Sequence, residues 1–188
     1  MSSIAEFFEE NKYVYLSDVL DEKICKELTD YMFHLYESGN LIKDTQCPLS
    51  DSIYGNVAFD DLLRKLAKPL SEQLDIDLDP AYTYARLYRP GEELEKHTDR
   101  PSCEISGTMT LGFAPSTSVW PIFFGLNDED LTGEKFDIDT GDLVIYRGNE
   151  LPHWRARFEG TWQVQVFFHY VDKNGPHKEF RNDKRPEE

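Results

Sequence analysis

Basic residues are in short supply: 20 Lys and Arg stand against 36 Asp and Glu in 188 residues, a formal charge of -16. An average field of that sign repels phosphate backbones and anionic bilayer surfaces, so the sequence predicts no nucleic-acid partner and no membrane partner. Long apolar runs are missing too, and nothing approaches the roughly 20 residues that a membrane-spanning helix needs. Cysteine is scarce. Cys25, Cys47 and Cys103 are odd in number and show no close paired spacing, which argues against a disulfide scaffold and against a zinc cluster. The opening Met1 to Glu6 carries neither the basic nor the apolar region of a secretion signal, so a cytoplasmic protein is expected.

What is present is a globular mixture, 39% hydrophobic and 13% aromatic, sufficient for one domain with a core. The texture changes near residue 80. Before it the period is helical: Ile24, Leu28, Tyr31 and Leu35 recur at three- and four-residue steps, with Asp21 able to cap the start and Gly39-Asn40 the end. Phe59, Leu62, Leu63, Leu66 and Leu70 predict a second helix that Pro69 kinks or shortens. A strand at Tyr13 to Leu16 precedes both, and Ile42 to Asn56 reads as a long polar loop of the kind that covers active sites.

After Pro80 the period becomes two. Tyr82, Tyr84, Arg86 and Tyr88 share a strand face that ends at Pro90-Gly91. Short strands follow at Ile105 to Phe113, Val119 to Phe124, Leu143 to Tyr146, His153 to Phe158 and Trp162 to Val171, a spacing that suggests a barrel or jelly roll. The expected organisation is therefore α+β and mainly β: a domain over 1–172, helical to about 79 and β from about 80, then a charged tail over 173–188 with too few apolar residues to bury.

The chemistry-bearing pattern is His97 and Asp99, two apart, answered by His153 in its own frame of Gly141-Asp142, an apolar strand and a Gly148 turn. Alternate strand residues project to one side, so the pair can converge on one point. Two imidazoles and a carboxylate make the facial triad of non-haem Fe(II) oxygenases, which leaves the opposite positions open.

Tyr88-x-x-Gly91-x-x-Leu94-x-x-His97-x-Asp99, then Gly141-Asp142-Leu143 leading to His153, resembles the 2-oxoglutarate/Fe(II)-dependent oxygenases of the prolyl-hydroxylase-like branch, over Tyr13 to about Asp172. The run His97-Thr98-Asp99-Arg100-Pro101-Ser102-Cys103-Glu104-Ile105-Ser106 is similar to a subgroup of them. The resemblance implies a double-stranded β-helix preceded by helices, with His97, Asp99 and His153 as catalytic metal ligands. It implies Fe(II), with 2-oxoglutarate and O2 as co-substrates and ascorbate as a stimulant. The implied reaction hydroxylates a C–H bond of a small molecule or a protein side chain and releases succinate and CO2.

One position departs from that pattern. The usual Arg or Lys about ten residues beyond the distal His is replaced by Gln163, with Gln165 after it. A planar guanidinium grips a carboxylate bidentately, which amides only partly reproduce. Arg86 with Tyr88, helped by Arg155, Gln163 and Gln165, is the expected substitute, with Arg86 ranked first. Arg86, Arg89, Arg100, Arg147, Arg155 and Arg157 cluster around the ligand motifs, so a locally cationic pocket is expected. His169 reads as structural and Cys103 as a small buried residue. Alternatives left open are a cupin-like metalloenzyme that does not use 2-oxoglutarate and a noncatalytic binding module on the same fold. The oligomeric state is not legible.

Overall fold

In a computed structural model describing residues 3–115, 119–125 and 133–185, three helices lie against the outer face of a β-barrel open at one end. The helices are α1 (Ile4–Asn11), α2 (Glu22–Glu37) and α3 (Val57–Leu74). Each starts at a side chain that accepts from an otherwise unpaired backbone N–H: Ser3 for Glu6, Asp21 for Lys23 and Asn56 for Ala58. α2 ends just before Gly39, as its sequence suggests. Its buried stripe is Cys25, Thr29, Met32 and Leu35; of the expected residues Leu35 is buried, Leu28 and Tyr31 are partly buried against the core, and Ile24 is exposed. α3 is not shortened at Pro69. Leu70 and Leu74, both beyond the proline, are buried on the same face, and each contributes roughly 1.5–3 kcal/mol that offsets the lost hydrogen bond.

The strands are β1 (Tyr13–Leu16), β2 (Asp51–Tyr54), β3 (Leu78–Tyr88), β4 (Leu94–His97), β5 (Ile105–Ala114), β6 (Ile122–Phe124), β7 (Glu134–Phe136), β8 (Leu143–Tyr146), β9 (His153–Arg155) and β10 (Trp162–Asp172). They form two antiparallel sheets ordered β1-β8-β5-β10-β3-β2 and β4-β9-β6-β7, the arrangement of a double-stranded β-helix. Alternation decides what each face of the large sheet does. Ala85 and Leu87 of β3, Met109 and Leu111 of β5, and Val164, Val166 and Phe168 of β10 pack under the helices. Their neighbours Arg86, Tyr88, Thr108, Thr110, Gln163, Gln165 and His169 are buried as well, and they turn into the barrel. One face is thus oil and the other is hydrogen-bonding material.

Two expectations need correction. β2 lies inside the segment read as a loop, where it pairs with β3 at the edge of the large sheet. The charged tail also folds back: Lys178–Lys184 forms short helical turns against β3, Asp183 accepts from Tyr54 and Arg100, and Arg185 pairs with Asp60. Ion pairs do there what apolar burial could not. Residues 186–188 of that tail lie outside the described residues. Among the described residues no helix is long and apolar enough to cross a membrane.

Candidate metal centre

β4 and β9 pair so that His97 stands opposite His153. The turn that delivers β4 depends on Gly91, which sits at φ +86° and donates its N–H to Phe158 O at 2.8 Å. Asp99 follows β4 directly, and its N–H donates to Gly148 O at 2.8 Å, tying it to the turn between β8 and β9. His97 Nε2 and His153 Nε2 each lie 3.6 Å from Asp99 Oδ1. Ligand atoms bound at roughly 2 Å to one ion stand about 3–4 Å apart, so this spacing admits a single metal.

Both imidazoles are prepared for that role. His97 Nδ1 donates to Glu95 O at 2.7 Å and His153 Nδ1 donates to Leu151 O at 3.0 Å. Each Nε2 is therefore left with its lone pair toward the common point. Burial pulls His153 below its usual pKa, with only partial opposition from Asp99. For His97 burial acts the same way, but the nearby Asp99 carboxylate and the Glu95 carbonyl, which favour its protonated form, outweigh it and the net shift is upward. Burial would raise Asp99, yet His97 and His153 more than offset it and the carboxylate stays ionised. One anionic oxygen between two imidazole nitrogens, beside a cavity, is the donor set of an open transition-metal site.

The site opens into a cavity of ≈ 450 Å³ whose wall includes Asp44, Gln46, Tyr54, Tyr82, Tyr84, Arg86, Leu94, Arg100, Tyr146, Phe167 and His169. The segment from Ile42 to Asn56 contributes Asp44 and Gln46 directly. Gln46 Nε2 lies 3.3 Å from His97 Nε2, over the metal-facing lone pair. Sequence reasoning marked the segment but not these two residues, because polar side chains in an irregular stretch carry no periodicity.

The expected co-substrate contacts separate into engaged and free groups. Arg86 Nη2 donates to Asp44 Oδ2 at 2.6 Å, and Nη1 donates to Tyr88 OH at 3.3 Å and to Cys47 Sγ at 3.2 Å. Gln165 is held between Thr108 and Thr110 and also accepts from Gln163. Arg155 is different. It is 1% exposed, its Nη1 donates to Trp120 O, its head group lies over the Trp120 ring, and among the described residues neither Nε nor Nη2 has a hydrogen-bond partner; Gln163 Oε1 is likewise unpaired. The groups whose charge Arg155 would feel are Tyr88, Tyr146 and Cys47, all neutral near pH 7. Its cross-strand neighbour Leu94 lines the cavity.

The expected cationic pocket is narrower than its six arginines suggested. Arg86 and Arg100 line it, Arg155 is not among its lining residues, and Arg89, Arg147 and Arg157 pair with Asp51, Glu9 and Glu159. In a chain this acidic, most arginines find a carboxylate before they find a ligand.

No protein-family profile matches the chain, and no curated protein matches it. Solved structures do. A prolyl-4-hydroxylase from Pseudomonas putida superposes with a TM-score of 0.72 at 15% identity, covering 90% of this chain and 97% of that one. HygX from Streptomyces hygroscopicus, with nickel and 2-oxoglutarate bound, gives 0.71 at 11% identity over 90% of this chain and 86% of that one. A Trichoplax adhaerens prolyl hydroxylase in complex with a hypoxia-inducible-factor peptide gives 0.68 at 12% identity over 90% and 88%. At these identities the likeness is one of fold, and the fold is the double-stranded β-helix of the 2-oxoglutarate/Fe(II) oxygenases.

Proposed function

We propose that this protein is an Fe(II)- and 2-oxoglutarate-dependent dioxygenase that hydroxylates a C–H bond of a small molecule or a protein side chain, with release of succinate and CO2. The observation that carries the reading is the convergence of His97 Nε2, Asp99 Oδ1 and His153 Nε2 with both tautomers preset. Hard oxygen plus two imidazoles on one side fits Fe(II) and leaves room for a chelating co-substrate and oxygen. The likeness to HygX, which holds a metal and 2-oxoglutarate, is consistent with it.

When bound, Fe(II) with 2-oxoglutarate supplies the activation of oxygen that C–H hydroxylation requires. The protein's own residues bind and orient. His97, Asp99 and His153 hold one side of the ion. Arg155 takes the far carboxylate of 2-oxoglutarate through Nε and Nη2, the two donors that the fold leaves unpaired. The spacing suits a five-carbon diacid: Arg155 is two residues from His153 on one strand, roughly 6.6 Å at the usual rise. Buried without a counter-charge, Arg155 is costly, and an incoming carboxylate removes that cost. Tyr54, Tyr82 and Arg100, on the wall made with the C-terminal segment, face the side where the prime substrate enters.

The superposed structures include complexes with hygromycin B and with a peptide, which supports a small-molecule or peptidyl substrate class. The charge of -16 supports a substrate other than nucleic acid. Succinate formed from 2-oxoglutarate in the presence of Fe(II), ascorbate and oxygen tests the reading. Wild-type protein is expected to form it, and His153→Ala is expected to form none while remaining folded. Equal succinate from both would overturn the assignment.

A further inference from the structure

We infer that His169 and Ser106 are positioning residues that fix the rotation of the Asp99 carboxylate, holding Oδ2 in a two-step hydrogen-bond chain so that Oδ1 faces the metal. The inference rests on the triad proposed above. Ser106 Oγ lies 3.0 Å from Asp99 Oδ2 and 2.9 Å from His169 Nδ1. Asp99 Oδ1 is the oxygen that both His97 and His153 approach, at 3.6 Å each. The two oxygens of one carboxylate therefore have separate duties.

Donor bookkeeping sets the direction of the chain. An ionised carboxylate only accepts, so Ser106 spends its single O–H proton on Asp99 Oδ2 and must receive from His169, whose Nδ1 carries the hydrogen. The competing acceptors, Cys103 O at 3.2 Å and the Tyr146 hydroxyl, are uncharged. A charged acceptor forms the stronger bond.

Three further features hold the chain in place. Ser106 of β5 and His169 of β10 are direct cross-strand partners, so backbone pairing sets their separation. The Tyr82 ring lies over the imidazole with centroids 4.4 Å apart at 31°. Gly148 supplies the space, because a Cβ there would collide with Asp99 Oδ2, Ser106 Oγ and Cys103 O. Ser106 is fully buried and His169 nearly so, which removes water as a substitute donor. Hydrogen-bonding partners of metal ligands orient them and tune their basicity, typically by 10–100-fold in affinity.

Asp99, Cys103 and His169 also lie close enough to form a ligand set of their own. An ion held there would compete with the hydrogen bonds from His169 to Ser106 and between Tyr82 and Cys103. The positioning role keeps both.

Co(II) titration of the full chain, followed by visible absorption, tests the inference without turnover. Ser106→Ala and His169→Phe should weaken Co(II) binding by roughly 10–100-fold and shift the ligand-field bands. His169→Asn, whose amide Nδ2 stands near the position of the imidazole Nδ1, should recover most of the loss. A residue needed only for packing would lower the unfolding midpoint and leave the spectrum of the folded protein unchanged. Should His169→Phe fail to fold, Ser106→Ala, which removes one oxygen atom, decides alone. Wild-type affinity and spectrum in folded Ser106→Ala would overturn the inference and leave the triad standing. A thiolate-to-cobalt charge-transfer band that Cys103→Ser abolishes would overturn it in favour of the Cys103 set. No Co(II) binding by wild-type protein would overturn the triad, and the inference with it.

Discussion

Two guanidiniums enter the same barrel from opposite sheets, and among the described residues Arg86 leaves one donor, Nε, unpaired while Arg155 leaves two, Nε and Nη2. Arg86 of the large sheet has Asp44 at 2.6 Å, Gln46 at 3.2 Å and Tyr88 at 3.3 Å around its head group. Arg155 of the small sheet has one backbone carbonyl and two empty donors. Burial disfavours both charges. For Arg86 the effect is more than offset, and of the groups facing it, Tyr88, Cys47 and Asp44, only Asp44 is charged near pH 7; for Arg155 burial dominates, and the guanidinium is pulled below its ordinary range. Burial alone does not mark a cation as a ligand anchor. Unpaired buried donors on a cation are the stronger reason to propose one, because leaving them unpaired costs free energy that an incoming carboxylate would recover.

The largest expected effect comes from the unfinished arginine. Arg155→Met should raise the Kd for 2-oxoglutarate by at least about a hundredfold, the roughly 3 kcal/mol of a desolvated charged pair, with metal affinity unchanged. The same variant without ligand should be no less stable than wild type in urea, since an apolar side chain of similar volume replaces an uncompensated buried charge. A large loss of stability with intact 2-oxoglutarate binding would reverse the comparison.

Next in size is the paired arginine. Asp44→Ala strands the Arg86 charge and should cost about 2–3 kcal/mol, below the full range for a buried pair because the Asp44 side chain is 23% exposed. Equilibrium unfolding checks this. The double variant Arg86→Leu with Asp44→Leu should recover much of the loss. Arg86→Leu alone should raise the 2-oxoglutarate Kd only severalfold, about 1 kcal/mol, by isothermal titration. A loss there as great as in Arg155→Met would return the first rank to Arg86, the order that the sequence suggested.

The smallest effect belongs to the pair at the cavity mouth. Arg100 and Asp183 meet at 2.8 Å, but the Arg100 side chain is 52% exposed. Asp183→Asn should shift unfolding by under about 1 kcal/mol, and salt should erase even that. A shift several times larger would show that the tail is a structural clamp and not a wall of the cavity.

The contrast between the arginines also explains what could be read in advance. His97, Asp99 and His153 are legible because strand parity and turn residues place ligands locally, and the register His97 to His153 then follows from barrel closure. Parity likewise brings Arg155 to the face of His153. The partner of Arg86 was not legible: Asp44 reaches it from a segment 42 residues away in sequence, and no period connects them. His169, which reads as structural, shares the alternation of Gln163 and Gln165 on β10, the signal that could have placed it in the barrel. The helical stripe of α2 holds at Leu35 and in part at Leu28 and Tyr31 but misses at its start, since Ile24 and Cys25 are both apolar and only packing against the sheet distinguishes them.

The central claim is that one ion and one 2-oxoglutarate share the open side of the triad. Adding 2-oxoglutarate to the Fe(II)-loaded protein without oxygen, and recording visible absorption, addresses it most directly. A metal-to-ligand charge-transfer band of an Fe(II)–2-oxoacid chelate should saturate at one equivalent in wild type, be absent in His153→Ala and demand far more 2-oxoglutarate in Arg155→Met. Fe(II) bound at one equivalent in wild-type protein with no such band at saturating 2-oxoglutarate would contradict the account.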